Sequence, residues 1–214
     1  HFLEHKMFES PGVSIENRFA AFGASTNAFT THTLTAYLFS TAENFYECLD
    51  LLLDFVQNPA FTEEGVRAER SIIAQEIKMY RDQPNWVVYL GALRGLYGDH
   101  PVAEDIAGGE EDLARIDYRL LRRCHELFYH PGRMVLVVAG DLGQEELFSF
   151  LAKNQGGKRF PPLPDIRDLV PRPRKKVDPH FRAEREVSRP LFNLALRDRL
   201  PESWQQARRR ETAA

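Results

Sequence analysis

The sequence predicts an α+β fold, a mostly antiparallel sheet with helices packed on one face, and three observations predict it. Residues 62–80 repeat apolar side chains at helical spacing. Residues 24–40 switch to threonines and aromatics, the composition of strands. Met134-Val135-Leu136-Val137-Val138-Ala139 is an unbroken apolar run with the length of a buried strand. Helix, strands, several helices, strand, helix is an order that segregates helices to one face of a sheet. The 214 residues, 43% hydrophobic and 28% charged, suffice for one large domain or a domain with an appendage. A net charge of −3 gives no electrostatic footprint for nucleic acid or an anionic membrane, and the apolar stretches are too short to span a bilayer. Cys48 and Cys124, both in amphipathic helical segments, make no disulfide framework, so a reducing, cytoplasmic setting is expected. The chain opens on His1 without a methionine or a targeting segment and reads as a fragment whose upstream part is missing.

In order along the chain, residues 1–9 read as a helix ended by Pro11-Gly12. Residues 14–22 read as a second, with Ser14 as N-cap and Gly23 as its stop. Asn27 to Thr30 and Thr33 to Phe39 read as strands. Residues 42–56 return to helix, with Phe45, Leu49, Leu52, Leu53 and Val56 on one face, and Asn58-Pro59 breaks it. Helices follow at 62–80, 86–97 and 118–128, with loop signals at Gly98 to Pro101 and at Gly108-Gly109. After the strand at 134–139 comes a helix at 144–152. Residues 154–180 hold six prolines and a basic cluster of Arg172, Arg174, Lys175 and Lys176, and read as a semi-rigid linker rather than a docking tract. Phe192, Leu194 and Leu196 alternate with Asn193, Ala195 and Arg197 as in one more strand, and the tail from Ser203 reads as frayed. The expected organisation is a domain over 1–153, a linker over 154–180, a strand region over 181–200 and a tail over 201–214.

The chemistry-bearing residues stand at the start. In a helix His1 and His5 are about 40° apart, one turn above each other, so both imidazoles can reach one tetrahedral metal. Glu4, about 60° to the other side of His1, is placed to take a proton from a water that zinc has acidified. A chance His-x-x-Glu-His in a chain this long arises on the order of once in a hundred sequences. The competing reading, a surface helix with two solvated histidines, conflicts with the flanking Phe2, Leu3, Met7 and Phe8, which demand burial. A catalytic zinc takes three protein ligands. On the wheel of residues 62–80, Val66, Ile72, Ile73, Ile77 and Tyr80 cover one arc, and Glu69 and Glu76 fall within it, about 20° from each other. A carboxylate facing a core is costly unless it is paired or binds a metal, so both are candidates, with an internal salt bridge as the alternative. His32, His100, His125, His130 and His180 lack partners at ligand spacing and read as structural or surface residues.

His-Phe-Leu-Glu-His followed by Glu69-Arg70-Ser71-Ile72-Ile73-Ala74-Gln75-Glu76-Ile77 closely resembles the pitrilysin/insulinase family of zinc peptidases, the inverzincins. The resemblance covers residues 1 to about 153 and, more weakly, 185–200. Asn27-Ala28-Phe29-Thr30, Thr35-Ala36-Tyr37, His100-Pro101 with Ile106-Ala107-Gly108, and Tyr129-His130-Pro131 before Gly140-Asp141 are also similar to the family pattern, and the first helix looks most like bacterial members. Carried over residue by residue, the resemblance implies one Zn(2+) per chain held by His1, His5 and Glu76. It makes Glu4 the general base and Glu69 an acid behind the ligands. Residues Asn27, Ala28, Phe29 and Thr30 become the edge to which an extended peptide adds. It implies an endopeptidase acting on peptides or small unfolded proteins, and a homologous partner subunit or dimer is expected from the family.

Three departures qualify the carry-over. Asp82 stands where a strict family count places the acid, but it follows the apolar stripe in a polar exit, so Glu76 is preferred. The family's opening strands would lie before His1, and the second domain, which supplies an arginine and a tyrosine to the substrate carbonyl, would follow Leu196. The expectation is therefore that residues 1–214 alone have little activity. Two alternatives accompany the peptidase reading: a non-catalytic subunit of a paired complex, and a metal lyase that uses Cys124 as third ligand.

Overall fold

In a computed structural model the described residues are 1–10, 12–166 and 180–196. The chain forms two compact units, His1–Tyr80 with Asp105–Pro171, and Arg81–Glu104 with Arg172–Ala214. The first unit is α+β. It contains helices α1 (Phe2–Met7) and α2 (Ile15–Ala21), strands β1 (Ser25–Thr30) and β2 (Thr35–Ser40), and helices α3 (Phe45–Gln57) and α4 (Glu63–Arg81, whose last residue falls in the second unit). In the second unit α5 (Pro84–Tyr97) packs with a 3-10 turn at Pro101–Ala103, burying Leu90, Gly91 and Ala103. The chain then returns to the first unit with α6 (Glu110–Arg115), α7 (Tyr118–Phe128) and α8 (Gln144–Gly156).

Capping chemistry sets several boundaries. Ser14 Oγ accepts the Asn17 N–H at 3.3 Å and starts α2. α3 begins three residues later than its composition suggests, because Thr41 Oγ1 engages the Glu43 N–H and Asn44 adopts a left-handed conformation. α6 is hidden in the sequence behind Gly108-Gly109. Gly108 takes φ +75°, and Asp112 accepts the Gly109 N–H at 2.8 Å, nucleating a helix just after the loop signal.

β1 and β2 pair antiparallel, Thr26 opposite Phe39 and Ala28 opposite Tyr37. Side chains of Thr26, Ala28, Thr30, Tyr37 and Phe39 point to the half-buried face, on which α1, α2 and α3 pack. Phe29 and Leu38 point outward. An aromatic cluster joins these layers: Phe19 stacks on Phe39 at 5.6 Å between centroids, and Phe55 meets Phe8 at 5.4 Å and Tyr37 at 5.6 Å. Phe19, Cys48 and Ile73 are fully buried at its centre.

Two expected strands do not form. Residues 134–139 form no strand, and Val135 and Val137 are 87% and 83% exposed. An apolar run shows that a segment suits a sheet interior, yet a strand exists only where a neighbour takes its N–H and C=O groups, and the one sheet described is β1–β2. The same holds for Phe192, Leu194 and Leu196, which are exposed and unpaired. The basic cluster at 172–176 and the tail lie outside the described residues. The proline-rich segment starts later than its composition suggests, since α8 runs to Gly156, and His130 Nε2 meets the Pro161 carbonyl at 2.9 Å.

Candidate metal centre

α1 presents His1, Glu4 and His5 one helical turn apart, and α4 presents Glu69 and Glu76 two turns apart. Val66, Ile73 and Ile77 are buried on the same stripe, which holds both carboxylates toward α1. Ile72, expected on that arc, is 55% exposed, so the stripe is narrower than the wheel suggests.

His1 Nε2 lies 3.5 Å from Glu76 Oε1, and His5 Nε2 lies 3.5 Å from Glu76 Oε2. Among the described residues His1, His5 and Glu76 form the one group of three possible ligands whose donor atoms all fall within 4.8 Å of one another. Two ligands of a tetrahedral zinc with bonds of 2.0–2.2 Å are about 3.4 Å apart, and each imidazole lies at about that distance from one of the two Glu76 oxygens. The donor set of two imidazoles and a carboxylate suits zinc and leaves a fourth position open.

The other residues of α1 and α4 orient this group. His5 Nδ1 donates to Glu69 Oε1 at 3.1 Å, which turns Nε2 toward Glu76. The hydrogen bond from His5 lowers the Glu69 pKa, and the same bond, opposed by burial, raises that of His5. Lys6, 4% exposed, donates to Glu69 Oε2 at 3.3 Å and ion-pairs with Glu9. Glu9 in turn accepts the Thr62 N–H at 3.0 Å and its hydroxyl at 2.9 Å. Burial pushes the Glu9 pKa up, but the hydrogen bonds from Lys6 and Thr62 outweigh it and the net shift is downward.

Glu4 is not in the three-ligand group. Its Oε2 accepts a hydrogen bond from the Thr30 hydroxyl, and Thr30 Oγ1 is 3.2 Å from Thr35 Oγ1. Thr30 thus faces the helix and holds the carboxylate that sequence reasoning makes the base. Asn27 and Phe29 lie on the opposite face of β1, and Ala28 lies on Thr30's face. Thr31 N–H pairs with Leu34 O at 2.8 Å, so alternation aims the N–H groups of Ala28 and Thr30 at the edge of β1 that is unpaired among the described residues, where Asn27 Oδ1 accepts the Ala28 N–H at 2.9 Å. Asp82 is exposed just beyond α4. Cys124 lies outside the three-ligand group, and burial pushes its thiol pKa up, away from the thiolate that a metal would need. His100, His125 and His130 engage backbone groups at 2.9–3.1 Å.

Sequence reasoning missed Lys6, Glu9 and the side-chain role of Thr30. The signal for Lys6 was available: it sits about 40° from Phe2 on α1, on the apolar side, with Glu9 three residues on.

Comparison with known proteins decides the family. The family model described as "Insulinase (Peptidase family M16)" matches residues 1–109. This chain belongs to the M16, or insulinase, family of peptidases. Residues 115–199 match a second M16 model, "Peptidase M16 inactive domain". The chain is 45% identical over 188 residues to the uncharacterized zinc protease YmfH of Bacillus subtilis, covering 87% of this chain and 43% of that one. It is 33% identical over 147 residues to the uncharacterized zinc protease YmxG of the same bacterium, covering 66% and 36%. An M16-like peptidase from Alicyclobacillus acidocaldarius superposes with a TM-score of 0.74 at 45% identity over 77% of this chain and 39% of that one. A protease from Helicobacter pylori shares the fold, with a TM-score of 0.72 at 22% identity over 83% and 43%. The chain therefore spans less than half the length of the proteins it matches.

Proposed function

We propose that this chain is the metal-binding part of a bacterial zinc endopeptidase, with His1, His5 and Glu76 as ligands and Glu4 as general base. The convergence of His1, His5 and Glu76, with one donor atom of each within 4.8 Å of the other two, carries the reading, because it is the donor set of a three-ligand zinc site. Zinc, when bound there, supplies Lewis acidity toward a scissile carbonyl and lowers the pKa of a water. Glu4 accepts a proton from that water and returns it to the leaving amine. Thr30 holds the Glu4 carboxylate in one rotamer, and Glu69 holds His5 in the tautomer that leaves Nε2 free to ligate. The open edge of β1, at Asn27, Ala28, Phe29 and Thr30, takes the extended substrate, which displaces Asn27 Oδ1 from the Ala28 N–H.

The whole protein, of which this chain corresponds to less than half in its relatives, is the enzyme in this reading. Hydrolysis of an unstructured fluorogenic peptide by the zinc-loaded full-length protein tests it. Glu4→Gln should retain one zinc while losing hydrolysis by about a thousandfold, the middle of the usual range for a lost acid–base group. Hydrolysis undiminished in Glu4→Gln would remove the base assignment, and activity unaffected by phenanthroline would remove the metal from the reaction.

A further inference from the structure

The Lys6–Glu9 pair links α1 to the first turn of α4. Thr62 caps that turn: its Oγ1 accepts the Gly65 N–H at 3.0 Å, and its carbonyl accepts the Val66 N–H at 2.9 Å. In an ordinary capping box the residue at the Gly65 position would be an acid reaching back to the Thr62 N–H. Here that position is glycine, and Glu9 of the segment after α1 supplies the carboxylate instead, at 3.0 Å. A Cβ on Gly65 would collide with the Glu9 carboxylate, so any larger residue there obliges the end of the Glu9 side chain to shift away. Lys6 ion-pairs with Glu9 and, at 3.3 Å, with Glu69, so one buried ammonium ties α1 to α4 directly at Glu69 and, through Glu9, at Thr62 seven residues earlier.

We propose that Lys6, Glu9, Thr62 and Gly65 form a clamp that sets the direction of α4 against α1 and thereby the zinc affinity of the His1–His5–Glu76 group. Two fixed points, at Glu69 and at Thr62, define a helix axis, whereas one leaves the helix a pivot. With the Thr62 point lost the helix pivots at Glu69, and Glu76 lies seven residues, about 10 Å, beyond it, so a tilt of about 10° carries its carboxylate about 2 Å, a whole Zn–O bond length. Packing of Val66, Ile73 and Ile77 resists the tilt, which keeps the effect of losing the clamp moderate.

The inference rests on the zinc reading above, and its test reads binding rather than hydrolysis. Zinc dissociation constants of the full-length protein are measured by competition with a chromogenic chelator for the wild type, Glu9→Gln and Gly65→Ala, each also in a Glu76→Gln background with a weaker competitor. Gly65→Ala displaces Glu9 while improving helix propensity, so a general loss of helix stability does not mimic the clamp. Both single variants should bind zinc about tenfold more weakly, the scale of a lost outer-shell partner, and neither should matter once Glu76 is gone. Wild-type affinity in either variant overturns the clamp, as does an equal loss in the Glu76→Gln background. A wild type that binds no zinc overturns the metal reading and the clamp together.

Discussion

His5 faces two acids at once: its Nδ1 is committed to Glu69 and its Nε2 opens toward Glu76. In the zinc-free chain this favours imidazolium, and the hydrogen bond to Glu69 raises the His5 pKa above its ordinary 6.5. The same bond lowers the Glu69 pKa below its ordinary 4.5. A raised histidine stabilises the fold below 6.5 and loses that contribution as pH rises through its folded value. A lowered carboxylate stabilises above 4.5 and loses it as pH falls through its folded value. The pair therefore contributes most between these two ordinary values. Urea unfolding of the zinc-free protein should show wild type exceeding Glu69→Gln most within that window, with the gap shrinking on the alkaline side. A gap that keeps widening toward pH 8 contradicts the pairing. Zinc affinity should move the other way and rise with pH, because a ligating His5 must give up its proton.

At the scale of elements, α4 was legible because Val66, Ile73 and Ile77 repeat at helical spacing, and the two acids on that stripe could be picked out as costly in a core. Their separate roles were not legible from a wheel on which they differ by about 20°. What distinguishes them is which imidazole nitrogen each meets, and the family resemblance supplied the assignment that the geometry accommodates. Residues 134–139 show the reverse limit: their apolar pattern is strong, but pattern does not name a pairing partner. The hairpin was legible from threonines and aromatics, and its attachment rests on Phe19, fully buried between α2 and β2. Phe19→Ala should cost about 3–5 kcal/mol in chemical denaturation. A loss below about 1 kcal/mol would mean that the hairpin is held elsewhere, for instance through the Tyr37–Tyr129 hydroxyl pair at 2.7 Å.

For the molecule as a whole, the first compact unit contains His1, Glu4, His5, Glu69 and Glu76, the proposed clamp residues and β1. The insulinase match over residues 1–109 spans all of them, while the match over 115–199 contains none. In the proposed reading, function depends on bringing a His-x-x-Glu-His turn against an acid more than seventy residues away. The most direct measurement is metal content of the purified full-length protein after dialysis, for wild type, Glu4→Gln and Glu76→Gln. The account predicts one zinc per chain in wild type and Glu4→Gln, and less than about a tenth of that in Glu76→Gln, since two imidazoles alone make an incomplete site. Full retention in Glu76→Gln, or a wild type without zinc, would contradict it.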